Sequence, residues 1–320
     1  MLQTLQRRWF LLLLVAVLTA GLWGAKQFAP LVERLPRDWV IGSVLLAMAL
    51  PLRIDTLWTT LRRPGPACLA VTINLAVLPP LAWIVSRGLA DDLAVGVIVA
   101  ATVPCTLASA AVWTRRAGGN DATSLLVTMA TNLSCFLVTP AWLLFLAGRS
   151  TTAMRFDDMV LKLLLLIVLP IVLAQLLRTI SAVGRWATAN KTGLGVYAQL
   201  GILTMVLIAA VHGGRTLDSL HEQLALWIGQ IVLMLALVGL LHTIAWWIGY
   251  WSAGKLDLAR EEQIAVAFAG SQKTLTVGLV VALQFGGLVV LPMLAYHVEQ
   301  LLIDTLLADQ LRASKRSAPS

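Results

Sequence analysis

Gly270-Ser271-Gln272-Lys273-Thr274 is a polar run inside a stretch otherwise built for burial. Ile264 to Phe268 lead into it, and Leu275, Val277, Leu279, Val280 and Val281 lead out. A lysine placed centrally in such a stretch costs about 2.5–3.5 kcal/mol or more in hydrocarbon. It is tolerated where it faces a protein interior or a wet cavity, so the run points first to a polar site within a membrane bundle. Three roles are open to Lys273: pairing with an anionic substrate, giving up a proton during a transport cycle, or standing where another carrier would hold a cation. A structural role competes with these, in which the ammonium snorkels or bonds helix-end carbonyls and locks the chain. Gln272 beside it brings both an acceptor and donors.

A second interruption lies at Val103-Pro104-Cys105-Thr106. Pro104 has no amide proton and cannot complete a helical ladder. Thr102, Thr106 and Ser109 place hydroxyls around it, and Thr106 and Ser109 can meet on neighbouring turns. The alternative is a packed proline kink whose hydroxyls bond their own backbone. Further on, Ser124, Thr128 and Asn132 recur one turn apart and form a polar stripe. Such oxygens either coordinate a hard cation or bond a neighbouring helix. Thr72 and Asn74, ahead of Pro79-Pro80, face the same two readings. His242, close to Trp246, Trp247, Tyr250 and Trp251, reads as packed or interfacial rather than as a proton carrier.

Other chemistries find little support. Ser271 and Lys273 stand two residues apart, a poor geometry for a dyad on a regular helix, and no acid–histidine pair or membrane-protease signature accompanies them, so no enzyme is expected. Cys68, Cys105 and Cys135 sit in apolar surroundings without CxxC spacing and read as reduced packing residues. The four histidines are scattered, and no metal site or cofactor is expected.

The elements that must hold these residues are membrane helices. The chain is 59% hydrophobic and 12% charged, with a mean hydropathy of +0.84. Apolar windows give ten candidate spans, near 9–28, 39–54, 66–86, 92–114, 122–147, 159–180, 193–212, 223–249, 261–281 and 284–307. Its net charge of +8 is not gathered into a nucleic-acid groove; the basic residues lie between apolar runs, where they suit a membrane surface. With a cytoplasmic N-terminus, fifteen Lys and Arg fall inside and eight outside, which with intramembrane Lys273 makes the total of 24. That bias puts both termini in the cytoplasm. The start of the chain, Arg7-Arg8 followed by Trp9 to Ala20, reads as an uncleaved first span rather than a signal peptide.

Ten spans divide into two fives, each with an interrupted fourth member and a fifth holding a central proline, Pro140 or Pro292. An odd number per half inverts the second copy, giving repeats at about 9–147 and 159–307, and broken helices place binding near mid-membrane. The expected fold is therefore an all-α polytopic membrane protein with one transmembrane domain over 1–310. Residues 311–320 form a short basic cytoplasmic tail near lipid headgroups, and Glu299 and Asp304 suggest that the last span emerges near His297.

Two stretches, Pro104-Cys-Thr-Leu-Ala-Ser-Ala-Ala-Val-Trp113 with Asn120-Asp121, and Gly270-Ser-Gln-Lys-Thr-Leu275, resemble the bile-acid/sodium symporter superfamily. The closer likeness is to its bacterial SBF-like branch, related to solute carrier family 10 member 7. The resemblance covers nearly all ten spans. It implies a core and a panel domain, with the fourth and ninth helices broken and crossing in the core. It also implies secondary transport of a small organic anion by alternating access in the bacterial inner membrane, coupled to sodium or, on this sequence, to protons. Thr106, Ser109, Ser271, Gln272 and Lys273 are the expected substrate-binding residues, and Ser109, Ser124, Thr128, Asn132 and Gln272 the candidate ion ligands. The sodium-binding acid of the better-known branch falls on Phe268 here, and an amide of each crossover motif becomes Ala110 or Lys273. Without the carboxylate and with an ammonium nearby, sodium loses its main charge compensation. The alternative function is a channel or a regulatory membrane protein acting on ion or envelope homeostasis. The partners expected are the anion and membrane lipids, with no nucleic acid; the oligomeric state is left open.

Overall fold

Proline and glycine decide where the apolar runs stop. The computed structural model describes residues 2–53, 58–146, 155–218 and 224–317. Arg149, His221 and the end of the basic tail from Ala318 lie outside them. Every regular element among the described residues is helical.

The first helix, α1 (Leu2–Trp23), ends at Gly24, and the chain turns by 102° into α2 (Ala25–Glu33). The expected span over 9–28 is thus cut short by a glycine that has no side chain to hold the helical course. α3 (Arg37–Ala49) stops before Pro51, and the short α4 (Trp58–Leu61) follows. α5 (Gly65–Ser86) contains a π-helical turn at Ile73–Val77, directly ahead of Pro79-Pro80. The two prolines cannot donate to the preceding turn. One carbonyl released in this way, Leu75 O, takes a hydrogen bond from Trp142 Nε1 at 2.6 Å.

α6 (Asp91–Thr102) ends because Pro104 forces Val103 into extended backbone, with ψ 159°. The chain resumes as α7 (Ser109–Arg116), then α8 (Asp121–Leu146), which carries Pro140. α9 (Phe156–Arg178), with a π turn at Leu164–Val168 before Pro170, leads through α10 (Ser181–Ala189) to α11 (Lys191–Asp218). α12 (Leu224–Lys255), α13 (Arg260–Ser271), α14 (Leu275–Phe285) and α15 (Val290–Ser317) complete the chain. Gly286 and Gly287, both at positive φ, turn α14 into α15, and Asp92 on α6 accepts from the Leu288 amide at 3.0 Å to hold that turn.

Among the described residues, seven helices are long and apolar enough to cross a membrane, or eight with the bent pair at Gly24 counted as one. The expected second span is held to 13 residues, and the expected fourth is split at Pro104. Among the candidate spans, only Arg260–Phe285 has its apolar stretch 100% buried; none of the others exceeds 50%. The span with the polar run is therefore the centre of the bundle. Large apolar side chains such as Trp23, Trp39 and Phe145 stay exposed on the outside, as expected where lipid is the solvent.

Three details differ from expectation. Pro292 lies in the first turn of α15, where a missing amide proton costs nothing, and not centrally. The last span does not emerge near His297: Gln300, Asp304 and Ala308 are all buried, and the helix continues to Ser317. Cys105 and Cys135 are buried free thiols, but Cys68 is exposed.

Candidate functional site

The two interruptions meet at the centre of the bundle. The Thr274 amide donates to Pro104 O at 2.9 Å, so each broken helix satisfies part of the other's open backbone. Gln272 and Thr274 both adopt extended backbone, which separates α13 from α14 without a proline.

Four side chains keep the second break open. Asn74, on the π turn of α5, donates from Nδ2 toward Gln272 O at 2.9 Å and toward Ala269 O and Gly270 O at 3.2 Å. Gln300 on α15 mimics a peptide: its Oε1 accepts from the Lys273 amide and its Nε2 donates to Lys273 O, both at 2.9 Å. Tyr296, one turn earlier, donates to Ser271 O at 2.8 Å. The Lys273 ammonium donates to Asn74 O at 2.7 Å, Val103 O at 2.8 Å and Asn74 Oδ1 at 3.1 Å. Its three protons meet three oxygens, and the side chain has no exposed surface. The charge is thus surrounded by oxygens from both α5 and the first break, in the manner of a bound cation.

Gln272 joins the two breaks through its side chain. Oε1 accepts from Thr106 Oγ1 at 2.6 Å and from Ser109 Oγ at 2.9 Å, while Nε2 donates to Asp304 Oδ2. Ser109 Oγ also lies 2.7 Å from Thr106 Oγ1, which accepts from the Ala110 amide at 2.9 Å. Thr106, Ser109 and Gln272 are therefore brought together; the Thr106 hydroxyl bonds both its own backbone, at the Ala110 amide, and Gln272 of the other break, whereas the Thr102 hydroxyl bonds back to Val99 O. Ser271 is not part of this group; its hydroxyl bonds back to Ala267 O at 2.9 Å within its own helix. It does not pair with Lys273, whose ammonium points toward α5.

The stripe on α8 divides. Thr128 Oγ1 donates to Thr106 O at 3.0 Å and Asn132 Nδ2 to Cys105 O at 2.8 Å, so these two hold the first break. The Oδ1 atom of Asn132 is buried with no hydrogen-bond partner. Ser124 instead meets Thr114 at 2.7 Å. Phe268, at the position of the other branch's acid, is fully buried against Trp246 at a ring separation of 5.8 Å.

Ala108 is exposed and Ser109 half-buried. Ala108, though not Ser109 itself, lines a cavity of about 520 Å³ bounded by Ala108 and Arg115 on one side and by Met48, Lys191 and Gln199 on the other. Gln272 and Lys273 are wholly closed off.

Sequence reasoning missed Tyr296, Gln300 and Asp304. Their spacing of four residues marks one polar face on an apolar helix, a signal that was present, but the acids were read as the end of the span. Asp304 Oδ1 lies 2.9 Å from His242 Nε2, with both side chains fully buried. His242 is therefore packed, as expected, but not interfacial.

A family model described as the SBF-like CPA transporter family matches residues 8–313. Among the similar proteins, sodium/bile acid cotransporter 7-B of Xenopus laevis is 21% identical over 99% of this chain and 96% of its own length. Sodium/bile acid cotransporter 7 of Rattus norvegicus is 22% identical over 98% of this chain and 95% of its own. A protein of Arabidopsis thaliana named as a chloroplastic sodium/metabolite cotransporter is 28% identical over 68% of this chain. The match takes in 52% of that protein, so the chain spans about half the length of this relative. All three are named as cotransporters, none as an enzyme.

Proposed function

The chain belongs to the SBF-like CPA transporter family, and from that premise we propose that it is a secondary active transporter of a small organic anion, working by alternating access in the bacterial inner membrane. The observation that carries this reading is the meeting of two helix breaks at Gln272, Thr106 and Ser109, beside a cavity lined by Arg53, Lys191 and the Arg115–Asp121 ion pair. Broken helices at the centre of a bundle present backbone and side-chain polar groups that a regular helix would have used up.

In this reading the topology is ten spans in an inverted 5+5 arrangement, with one domain over 1–310, repeats near 9–147 and 159–307, and both termini cytoplasmic. Seven long spans, the bent pair at Gly24, α3 and the split α6–α7 make up that count. The panel comprises α1–α3 and α9–α11; the core comprises α5–α8 and α12–α15. The cavity lies between Met48 and Gln199 of the first group and Ala108 and Arg115 of the second, where a rocking motion would open and close it. Arg312, exposed near the end of α15, faces the lipid headgroups.

Thr106, Ser109 and Gln272 bind substrate from the cavity side. Lys273 acts as a fixed positive charge in place of a bound cation, which is supported by its three oxygen partners. Thr128 and Asn132 shape the first break, and the unpaired Asn132 Oδ1 is the remaining candidate ion ligand. Phe268 in place of an acid weighs against a two-sodium mechanism, so one coupling ion, sodium or a proton, suffices.

The test is uptake and counterflow of a panel of labelled organic anions in proteoliposomes, with sodium and pH varied independently. Saturable flux with counterflow is expected, and Lys273→Gln should abolish it or change its coupling. Unchanged transport and coupling in Lys273→Gln would remove the central site, and a flux that neither saturates nor shows counterflow would favour a channel.

A further inference from the structure

On the side of Gln272 away from Thr106 lies a buried pair that the proposed substrate site does not use. His242 on α12 and Asp304 on α15 have no exposed side-chain surface. The His242 ring stands edge-on to Tyr296, with centroids 5.7 Å apart and planes at 83°. Its Nε2 lies 2.9 Å from Asp304 Oδ1 and its Nδ1 3.4 Å from Ser271 O. The other carboxylate oxygen, Oδ2, accepts from Gln272.

A count of protons on these atoms does not close with ordinary charges. A neutral imidazole carries a single N–H. Here both ring nitrogens face oxygens: one belongs to the carboxyl group and the other to the open end of α13. With a neutral histidine and an ionised Asp304, one of the two contacts would set lone pair against lone pair. One additional proton removes the conflict. Either His242 carries both N–H groups beside the carboxylate, or Asp304 Oδ1 is protonated and donates to Nε2 while Nδ1–H points to Ser271 O. In both cases the pair holds one proton more than its separated neutral and anionic forms, and it bears no net charge.

The surroundings isolate this proton. From α15, Tyr296, His297 and Glu299 face the region: Glu299 lies within electrostatic range of His242, Tyr296 within range of Asp304, and His297 is hydrogen-bonded to Gln300. From the breaks come Cys105, which is in range of Tyr296, and Lys273, whose ammonium is turned to Asn74 and Val103. Thr106 of the first break and Ser109 at the start of α7, both uncharged, reach the pair through Gln272.

We propose that His242 and Asp304 form a proton-binding site coupled to the crossover, occupied in this conformation and emptied when the crossover opens. Gln272 links Asp304 to the substrate hydroxyls, and Ser271 O links His242 to the break itself. Loss of the proton leaves the pair with a net negative charge beside Gln272 and sets His242 Nδ1 or Nε2 against an oxygen, which favours an arrangement in which those contacts part. The proton leaves to water. Coupling through this pair rests on the transport reading; proton binding by it does not.

The first measurement is a pH titration of the purified full chain in detergent, without sodium. Proton release and the infrared carboxyl band are read for the wild type, Asp304→Asn, His242→Gln and Asp304→Glu, with the exposed Asp309→Asn as control. One titrating proton per chain should disappear from Asp304→Asn and from His242→Gln, and remain in Asp304→Glu and Asp309→Asn. Full wild-type titration in both of the first two variants overturns the site. If Asp304→Asn does not fold, His242→Gln alone decides. The second measurement is anion flux into proteoliposomes driven by a pH gradient. Loss of the pH-driven component in His242→Gln supports coupling, and its retention overturns it. A normal titration step with no solute flux in the wild type leaves the proton site standing and removes the transport reading.

Discussion

Replacing Lys273 with alanine tests whether its ammonium acts as a built-in cation. The substitution leaves two main-chain carbonyls, Asn74 O and Val103 O, facing an empty space at the centre of the bundle. A buried acceptor left alone costs about 1–3 kcal/mol, so the pair costs about 2–6 kcal/mol. Against this, the variant no longer desolvates an ammonium, a relief of several kcal/mol per ion. The opposing effects are of similar size and largely cancel, so the net change in stability should lie within about 2 kcal/mol of zero and is not diagnostic alone. Chemical rescue is. Lys273→Ala removes the equivalent of n-propylammonium, and that cation added to the detergent-solubilised protein should restore the missing bonds. At a hundredfold excess over its Kd it would return about 2.7 kcal/mol, read as a rise in the thermal midpoint by tryptophan fluorescence. Lys273→Met fills the space with an apolar chain and should gain nothing, and neutral propanol should rescue neither variant. Equal stabilisation of Lys273→Ala and Lys273→Met by propylammonium, or none of either with both variants as stable as the wild type, would refute the reasoning.

Asn74→Leu should cost about 3 kcal/mol, because it removes the amide donors on the end of α13 and an acceptor from Lys273. Thr72→Val, whose hydroxyl only bonds Cys68 O in its own helix, should stay within about 0.5 kcal/mol in the same melting assay. Phe268→Glu places a carboxylate against Trp246 with no cation beside it and should cost about 3–5 kcal/mol. Sodium chloride should not recover that loss relative to choline chloride; recovery would mean that a sodium site lies one substitution away. Arg116→Ala breaks a half-exposed pair with Asp309 and should change the midpoint by no more than about 1 kcal/mol allows.

Much of this was legible from local chemistry. Pro104 was bound to end a helix because it lacks a donor and forces Val103 to be extended, and Thr106 and Ser109 were close enough in sequence to meet wherever the chain went. The family resemblance rested on the same residues, and the family match over 8–313 agrees with it. The polar run also marks the second break, but local chemistry does not contain what holds that break open. Nothing in Gly270 to Thr274 forbids a helix as Pro104 does; Asn74, Gln300 and Tyr296 hold it open from α5 and α15.

Hydropathy alone required helices across a membrane, and Lys273, too costly to leave in lipid, had to lie inside them. What Lys273 touches, and which acid answers the crossover, came from helix packing. Its three partners include two main-chain oxygens, and main-chain groups carry no residue-specific mark in a sequence. Asp304 and His242 are 62 positions apart and read locally as a helix end and a packed or interfacial histidine. Helix packing makes them a buried pair, because removing both from water leaves each as the other's partner.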